Sequence, residues 1–285
     1  AAACLRRGGL VAFPTETVCG LGVHSLDRQA VLRLFAAKCR PANDPLIVHV
    51  DTVDAVPPLV AHLPPEAYAL SARFWPGPLT IVLRRSGAVP DEVTAGLDSV
   101  AIRVPAHPVA RALIAAAGIP IAAPSANLFS RPSPTQASHV LADLDGHIDL
   151  VVDGGSTAVG VESTVVDLSC TPAAILRPGA VGVEAIRAIV PAVECHHAAA
   201  PDGGAARSPG LLSKHYAPRA ALTVYRGDPQ QALDAMVHAA RRLAAGGTSV
   251  AVMTFDEDRP RLIDVPAVFV SLGSAHVPEE VARRL

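Results

Sequence analysis

An α/β fold is predicted for residues 1–193, and three observations predict it. Apolar strand-like runs alternate with helical stretches from Gly9 to about residue 193. Half of the residues are apolar but only 4% are aromatic, so the core is built from Ala, Val, Leu and Ile, which suits helices on a sheet better than an aromatic-rich sandwich. A length of 285 residues exceeds one typical domain, and a second, smaller α/β pattern follows after a change in composition.

The chain opens inside a helical stretch and then offers seven strand candidates, at 10–13, 46–50, 79–83, 100–104, 119–122, 150–152 and 164–168. Helices fall between several of them: 31–37 behind an Asp27 cap, 64–74, 107–117, and 136–144 behind Thr135. Residues 194–218 turn to His, Ala, Gly, Pro and Ser, the composition of a linker. Residues 219–285 form the second domain, read as Rossmann-like and incomplete. It has a strand at 221–225, a helix from an Asp228 cap to residue 245, a Gly246-Gly247 stop, a strand at 249–253 and a closing helix at 277–285. No internal repeat is present.

Bulk properties exclude several function classes. A net charge of -2 gives no global basic field for nucleic acid or an acidic membrane. The five cysteines stand far apart with no Cys-x-x-Cys pair, which points to neither zinc nor a disulfide framework and fits a reducing cytoplasm. The most apolar stretch, 112–124, is broken by Gly118 and Pro120 and is too short to span a bilayer. Arg6 and Arg7 occupy the place of a signal peptide's apolar segment.

Chemistry concentrates in short motifs. Only two of the 24 basic residues are lysines, Lys38 and Lys214, and a lysine is a compact point charge suited to gripping a small anion. Lys38 lies in Lys38-Cys39-Arg40-Pro41, where two cations flank a proline-stiffened turn that ends at Asp44-Pro45. Pro14-Thr15-Glu16-Thr17 directly follows a strand and places hydroxyls and a carboxylate where α/β folds bind ligands. Arg103 ends a strand, Ser125-Ala126-Asn127 follows another with Ser133 close behind, and Glu162-Ser163-Thr164 and Arg177-Pro178-Gly179 repeat the theme. Such hydroxyls, amides and guanidinium groups can together hold sugar, phosphate and an amino-acid carboxylate. Singly, each has a plainer reading as a turn, a helix cap or a surface ion pair. No P-loop, nucleophile elbow, Cys–His pair or metal-binding acidic cluster is seen, so the expected chemistry joins substrates that react with each other while the protein supplies charge and orientation.

In order, these stretches resemble the YrdC-like family in its two-domain form, the threonylcarbamoyl-AMP synthases. The resemblance rests on 13–22, 38–50, 74–82, 101–105, 123–135, 161–167, 176–179 and 208–218. It implies a twisted mixed sheet flanked by helices. It also implies a nucleotidyltransferase that makes threonylcarbamoyl-AMP and pyrophosphate from L-threonine, bicarbonate or CO2, and ATP. Magnesium would be carried by ATP, with no protein metal site. A separate transferase would deliver the product to an adenosine of tRNA, with tRNA itself not bound tightly. The matching threonine-site positions are Thr17, His49, Arg103 and Ser163. Those around ATP are Lys38, Arg40, Asp44, Ser99, Ser125, Asn127, Ser133 and Arg177, with Lys38 and Arg40 catalytic and His215 and Tyr216 in a lid. Cys19 stands where the family usually has Tyr, which implies an altered wall of the threonine pocket. Cys39 stands where small residues such as Gly are common.

A second reading, from a different class, is a double-stranded RNA-binding protein of the same fold. The near-neutral charge and the absence of basic or aromatic clusters count against it. A third, a carbamoyl-adenylate-forming domain of hydrogenase maturation, lacks the zinc-finger cysteines it requires.

Overall fold

In a computed structural model of the protein, residues 1–196, 204–210, 217 and 220–284 are described. The chain divides into two compact units, Ala1–Ala217 and Pro218–Leu285.

The first unit is built on strands β1 (Val11–Pro14), β2 (Cys19–His24), β3 (Ile47–His49), β4 (Leu79–Arg84), β5 (Ser99–Arg103), β6 (Ile121–Ala122), β7 (Leu150–Val151), β8 (Thr164–Asp167), β9 (Ala174–Arg177) and β10 (Glu194–Cys195). They form one mixed sheet in the order β10-β9-β8-β4-β5-β3-β6-β2-β1-β7. Helices α1 (Ala2–Arg6), α2 (Arg28–Lys38), α3 (Pro65–Phe74), α4 (Asp91–Thr94), α5 (Pro108–Ala117), α6 (Ala137–Leu144) and α7 (Val183–Arg187) accompany it.

Alternation along the strands buries both faces of this sheet. In β1, Ala12 joins the main core with Leu34, Val48, Leu79 and Ile102, whereas Val11 and Phe13 face a second cluster with Leu5, Leu113 and Ile114. Helix α2 begins where Asp27 accepts from the backbone N–H groups of Gln29 and Ala30. It ends at Cys39, whose φ of 50° is left-handed, a conformation that favours glycine. Helix α5 ends on Gly118 in the same conformation. The Thr135 cap is corrected: α6 starts one residue later, after Gln136, and no side chain caps it.

In this unit the sequence reading missed β2, β9 and β10, the last of which falls in the stretch read as linker. Cys19–His24 carries two glycines and reads as turn, yet it pairs with β1 from Val11↔Gly22 to Pro14↔Cys19. Glycine is required at position 22 because a Cβ there would lie 2.7 Å from Phe13 and 2.9 Å from Ile121.

The second unit contains α8 (Pro229–Ala245), capped by Asp228, two parallel strands β11 (Ala251–Thr254) and β12 (Val268–Ser271), and α9 (Pro278–Arg284). Its core joins Ala240, Val252, Leu262 and Val265. The strand expected at 221–225 is not formed. The only ladder described in this unit joins β11 to β12, and Leu222 and Val224 stay 70% and 64% exposed. An alternating pattern supplies a face, but a strand also needs a neighbour. Among the described residues no helix is long and apolar enough to cross a membrane.

The packing around β2 makes Gly22→Ala a direct test of this arrangement. The added methyl should cost about 1 to 3 kcal/mol through overpacking, read as a lower denaturation midpoint with an unchanged denaturant slope.

Candidate functional site

The candidate site lies on one face of the large sheet, and strand pairing assembles it. Parallel pairing of β3 with β5 sets His49 opposite Arg103. Strand β4 runs antiparallel to β5 and parallel to β8, which brings Ser163, just before β8, to the end of the sheet where Arg103 stands. Antiparallel pairing of β9 with β8 returns Arg177 to that end. The β1–β2 hairpin contributes Thr15 and Thr17, and the segment after β6 contributes Ser125. Together with Arg40, Glu162 and Pro209, these residues line one cavity.

The hairpin turn is wired by hydroxyls. Thr15 Oγ1 donates to the Val18 carbonyl at 2.7 Å, which uses its one proton. Thr15 Oγ1 also accepts from the N–H groups of Thr17 and Val18, at 3.2 and 3.3 Å, and Thr17 Oγ1 lies 2.9 Å from it. Thr17 Oγ1 accepts from Arg103 NH1 at 3.0 Å. Thr17 is fully buried.

Arg103 is the hub of this half. Its NH2 pairs with Glu16 Oε1 at 2.6 Å and its Nε donates to the Gly77 carbonyl at 3.2 Å. Burial lowers its pKa from the ordinary arginine value and Glu16 works against that shift, so it remains a cation. Glu16 also accepts from the Ala106 N–H at 3.1 Å, which ties the hairpin to the segment after β5.

His49 is neutral. Burial, followed by the charge of Arg103, lowers its pKa to about 3. Nδ1 lies 3.2 Å from the Ile47 carbonyl, which can only accept, so Nδ1 carries the proton and Nε2 is an acceptor.

The other half is cationic. Arg40 is almost fully buried, pairs with Asp44 Oδ2 at 2.8 Å, and donates to the carbonyls of Asp44 (3.1 Å) and Pro45 (2.8 Å). Arg177 donates to the Ser163 carbonyl at 3.0 Å, to Ser163 Oγ at 3.2 Å and to the Pro209 carbonyl at 3.1 Å. Lys38 Nζ donates to the backbone carbonyls of Ser125 and Asn127. Its burial lowers its pKa well below the ordinary lysine value, with Arg40 adding to the shift.

Of the residues expected from sequence, Thr17, His49, Arg103, Ser163, Arg40, Ser125 and Arg177 meet in the cavity. Lys38, Asp44, Asn127 and Ser133 stand just behind it. Lys38 braces the Ser125–Asn127 turn, Asp44 braces Arg40, Asn127 Nδ2 donates to the carbonyls of Leu128 (2.7 Å) and Arg131 (2.9 Å), and Ser133 Oγ donates to Glu162 at 2.5 Å. Ser99 is not brought there. It starts β5, opposite Arg84, whereas Arg103 ends the strand, and four residues of extended chain separate the two by about 13 Å. His215, Tyr216 and Lys214 lie outside the described residues.

Sequence reasoning gave no separate role to Glu16, Glu162 and Pro209, which lie in motifs it singled out, and missed Thr80 altogether. Thr80 is fully buried in β4, and its hydroxyl lies 2.8 Å from Ser163 Oγ. A polar residue inside an otherwise apolar strand was the available signal. The expected change of the threonine-pocket wall at Cys19 is corrected by strand alternation. Its neighbours Val18 and Gly20 line the cavity, while Cys19 packs in the main core, where burial pushes its thiol up to about 11.

The family model for Sua5/YciO/YrdC proteins, described as telomere recombination, matches residues 3–179. The chain belongs to this Sua5/YciO/YrdC family. A second model, for the C-terminal domain of threonylcarbamoyl-AMP synthase, matches residues 181–285. The chain is 49% identical over 228 residues to the threonylcarbamoyl-AMP synthase of Pyrococcus abyssi, covering 80% of this chain and 67% of that protein. It is 44% identical over 258 residues to that of Bacillus subtilis, covering 90% and 73%. A crystal structure of Pyrococcus abyssi Sua5 complexed with L-threonine superposes with a TM-score of 0.91 at 42% identity, covering 99% of this chain and 81% of that one.

The neutral state of His49 has a measurable consequence. Folding lowers its pKa from the ordinary 6.5 to about 3, so in between the unfolded chain binds a proton that the folded chain does not. The contribution of neutral His49 is whole above pH 6.5 and is lost as pH falls toward 3. Thermal denaturation should show a stability loss of about 3 kcal/mol by pH 4 from this group. His49→Gln should flatten the profile across that window.

Proposed function

We propose that this Sua5/YciO/YrdC protein forms threonylcarbamoyl-AMP and pyrophosphate from L-threonine, bicarbonate or CO2, and ATP. The observation that carries this reading is the adjacency of two differently built half-sites in one cavity. Around Thr17, His49 and Arg103, a hydroxyl and a neutral imidazole stand beside one cation, a set that matches a hydroxyl, an amine and a carboxylate on one small molecule. L-Threonine has all three. Around Arg40, Arg177 and Ser125, two guanidinium groups and a hydroxyl match a polyphosphate. The names of the related proteins support the same assignment.

In the reaction, the threonine amine forms an N–C bond to CO2 and loses a proton, giving a carbamate. A carbamate oxygen then bonds to the α-phosphorus of ATP as the bond to the bridging oxygen of the β-phosphate breaks, and pyrophosphate leaves. Arg103 holds the amino-acid carboxylate so that the amine, not the carboxylate, faces CO2. His49 Nε2 accepts from the threonine hydroxyl. Arg40 and Arg177 offset charge that develops on the departing pyrophosphate.

Magnesium enters on ATP. The carboxylates near the cavity are already committed, Glu16 to Arg103, Asp44 to Arg40 and Glu162 to Ser133, so phosphate oxygens would hold the ion. Its role there is to neutralise phosphate charge. The product is an activated acyl group for N6 of an adenosine in tRNA, transferred by a separate enzyme.

Pyrophosphate release should require threonine and bicarbonate together, and serine and valine should support it poorly. A valine lacks the hydroxyl and leaves His49 Nε2 without a donor. Release with ATP alone, or equal rates with valine, would contradict the assignment. Arg40→Ala should raise the barrier by about 2 to 4 kcal/mol, while the threonine affinity measured by calorimetry stays near that of the parent.

A further inference from the structure

Residues 204–210 belong to no helix or strand, yet they form part of the cavity wall through Pro209. Three of the contacts that fasten them come from Asn43 and Arg207. Asn43 makes two: its Nδ2 donates to the Gly204 carbonyl at 3.0 Å, and its carbonyl accepts from the Ala206 N–H at 2.9 Å. The third is ionic. Arg207 NH2 lies 2.6 Å from Asp167 Oδ2.

The two sides of that ion pair are unequal. The Asp167 side chain is only 2% exposed, whereas that of Arg207 is 46% exposed. The other carboxylate oxygen of Asp167 accepts from the N–H and the hydroxyl of Ser169, at 2.8 and 2.6 Å. A carboxylate buried this deeply is costly without a counter-charge. Asn43 offers only neutral contacts, so at this end of the segment the charged contact is that of Arg207 with Asp167. Beyond Arg207 the chain dips inward: Ser208 is 1% exposed, and the Pro209 carbonyl receives Arg177 NH1 at 3.1 Å. Only two residues separate the anchor from the carbonyl that orients a cavity cation.

We propose that Arg207 is a positioning residue for the nucleotide half of the site: its ion pair with Asp167 fixes the 204–210 segment so that the Pro209 carbonyl aligns Arg177. This rests on the reading of Arg177 as a nucleotide ligand. Arg207 itself touches no cavity atom. The threonine half is fastened through Glu16, Thr17 and Gly77 and meets Arg177 at Ser163, so ATP binding should respond more strongly than threonine binding.

The test uses the full chain with Arg207→Ala, Arg207→Lys, Asp167→Asn and the double variant of Arg207→Ala with Asp167→Asn. Steady-state pyrophosphate release gives separate KM values, and hydrogen exchange reports on residues 204–210. Arg207→Ala should raise the KM for ATP about tenfold, and leave that for threonine within about twofold. Arg207→Lys should recover most of the loss. The double variant should be no worse than Arg207→Ala alone, because both changes remove the same pair. Faster exchange at 204–210 should accompany the loss. Equal changes in both KM values, or unchanged exchange in Arg207→Ala, would overturn the proposal. Should the parent protein release no pyrophosphate with all three substrates, the functional reading fails, and exchange at 204–210 still decides whether Arg207 anchors the segment.

Discussion

Burial of positive charge is the constraint on which the rest of the structure depends. Lys38, Arg40, Arg103 and Arg177 are each at most 9% exposed and surround one cavity. Removing a cation from water costs several kcal/mol unless oxygens replace the lost hydration. Segments at the strand ends of the large sheet supply that replacement. Glu16 and Asp44 meet Arg103 and Arg40, while Lys38 and Arg177 are met by the carbonyls of Ser125, Asn127, Ser163 and Pro209.

Carbonyl dipoles orient a cation without cancelling its charge, unlike a carboxylate. Arg177, met by the carbonyls of Ser163 and Pro209, brings the cavity a positive charge that those dipoles do not cancel. Rigidity follows from the same contacts, because Lys38, Arg103 and Arg177 each join segments distant in sequence. Lys38 links α2 to the turn after β6, Arg103 links β5 to the β1–β2 hairpin, and Arg177 links β9 to the segment before β8 and to residues 204–210. The donors are thus fixed before any substrate arrives, which is how charge stabilisation becomes effective in a reaction that releases pyrophosphate.

Much of this was legible in the sequence where local chemistry decides the structure. Asp27, Gly118 and Asp228 mark helix ends by capping rules that need no tertiary information, and Lys38, Arg40, Arg103 and Arg177 stood out as cations in turn or strand-end motifs. What was illegible depends on pairing. Cys19–His24 becomes a strand because β1 and β6 flank it, although two glycines argue locally for a turn. The 221–225 run has strand residues and no ladder. Thr80 and Glu16 matter through partners 83 and 87 positions away, Ser163 and Arg103, which no spacing rule reveals. Ser99 and Arg103 share a strand and differ in which end of the sheet they occupy.

The most direct test of surplus buried charge is calorimetric binding of adenosine, AMP and ATP to the same protein at one salt concentration. Affinity should rise steeply with phosphate number, adenosine should bind barely at all, and the ATP term should weaken as salt is raised. Adenosine binding as tightly as ATP, with no salt dependence, would show that the base and sugar are recognised and that the buried cations serve only the fold.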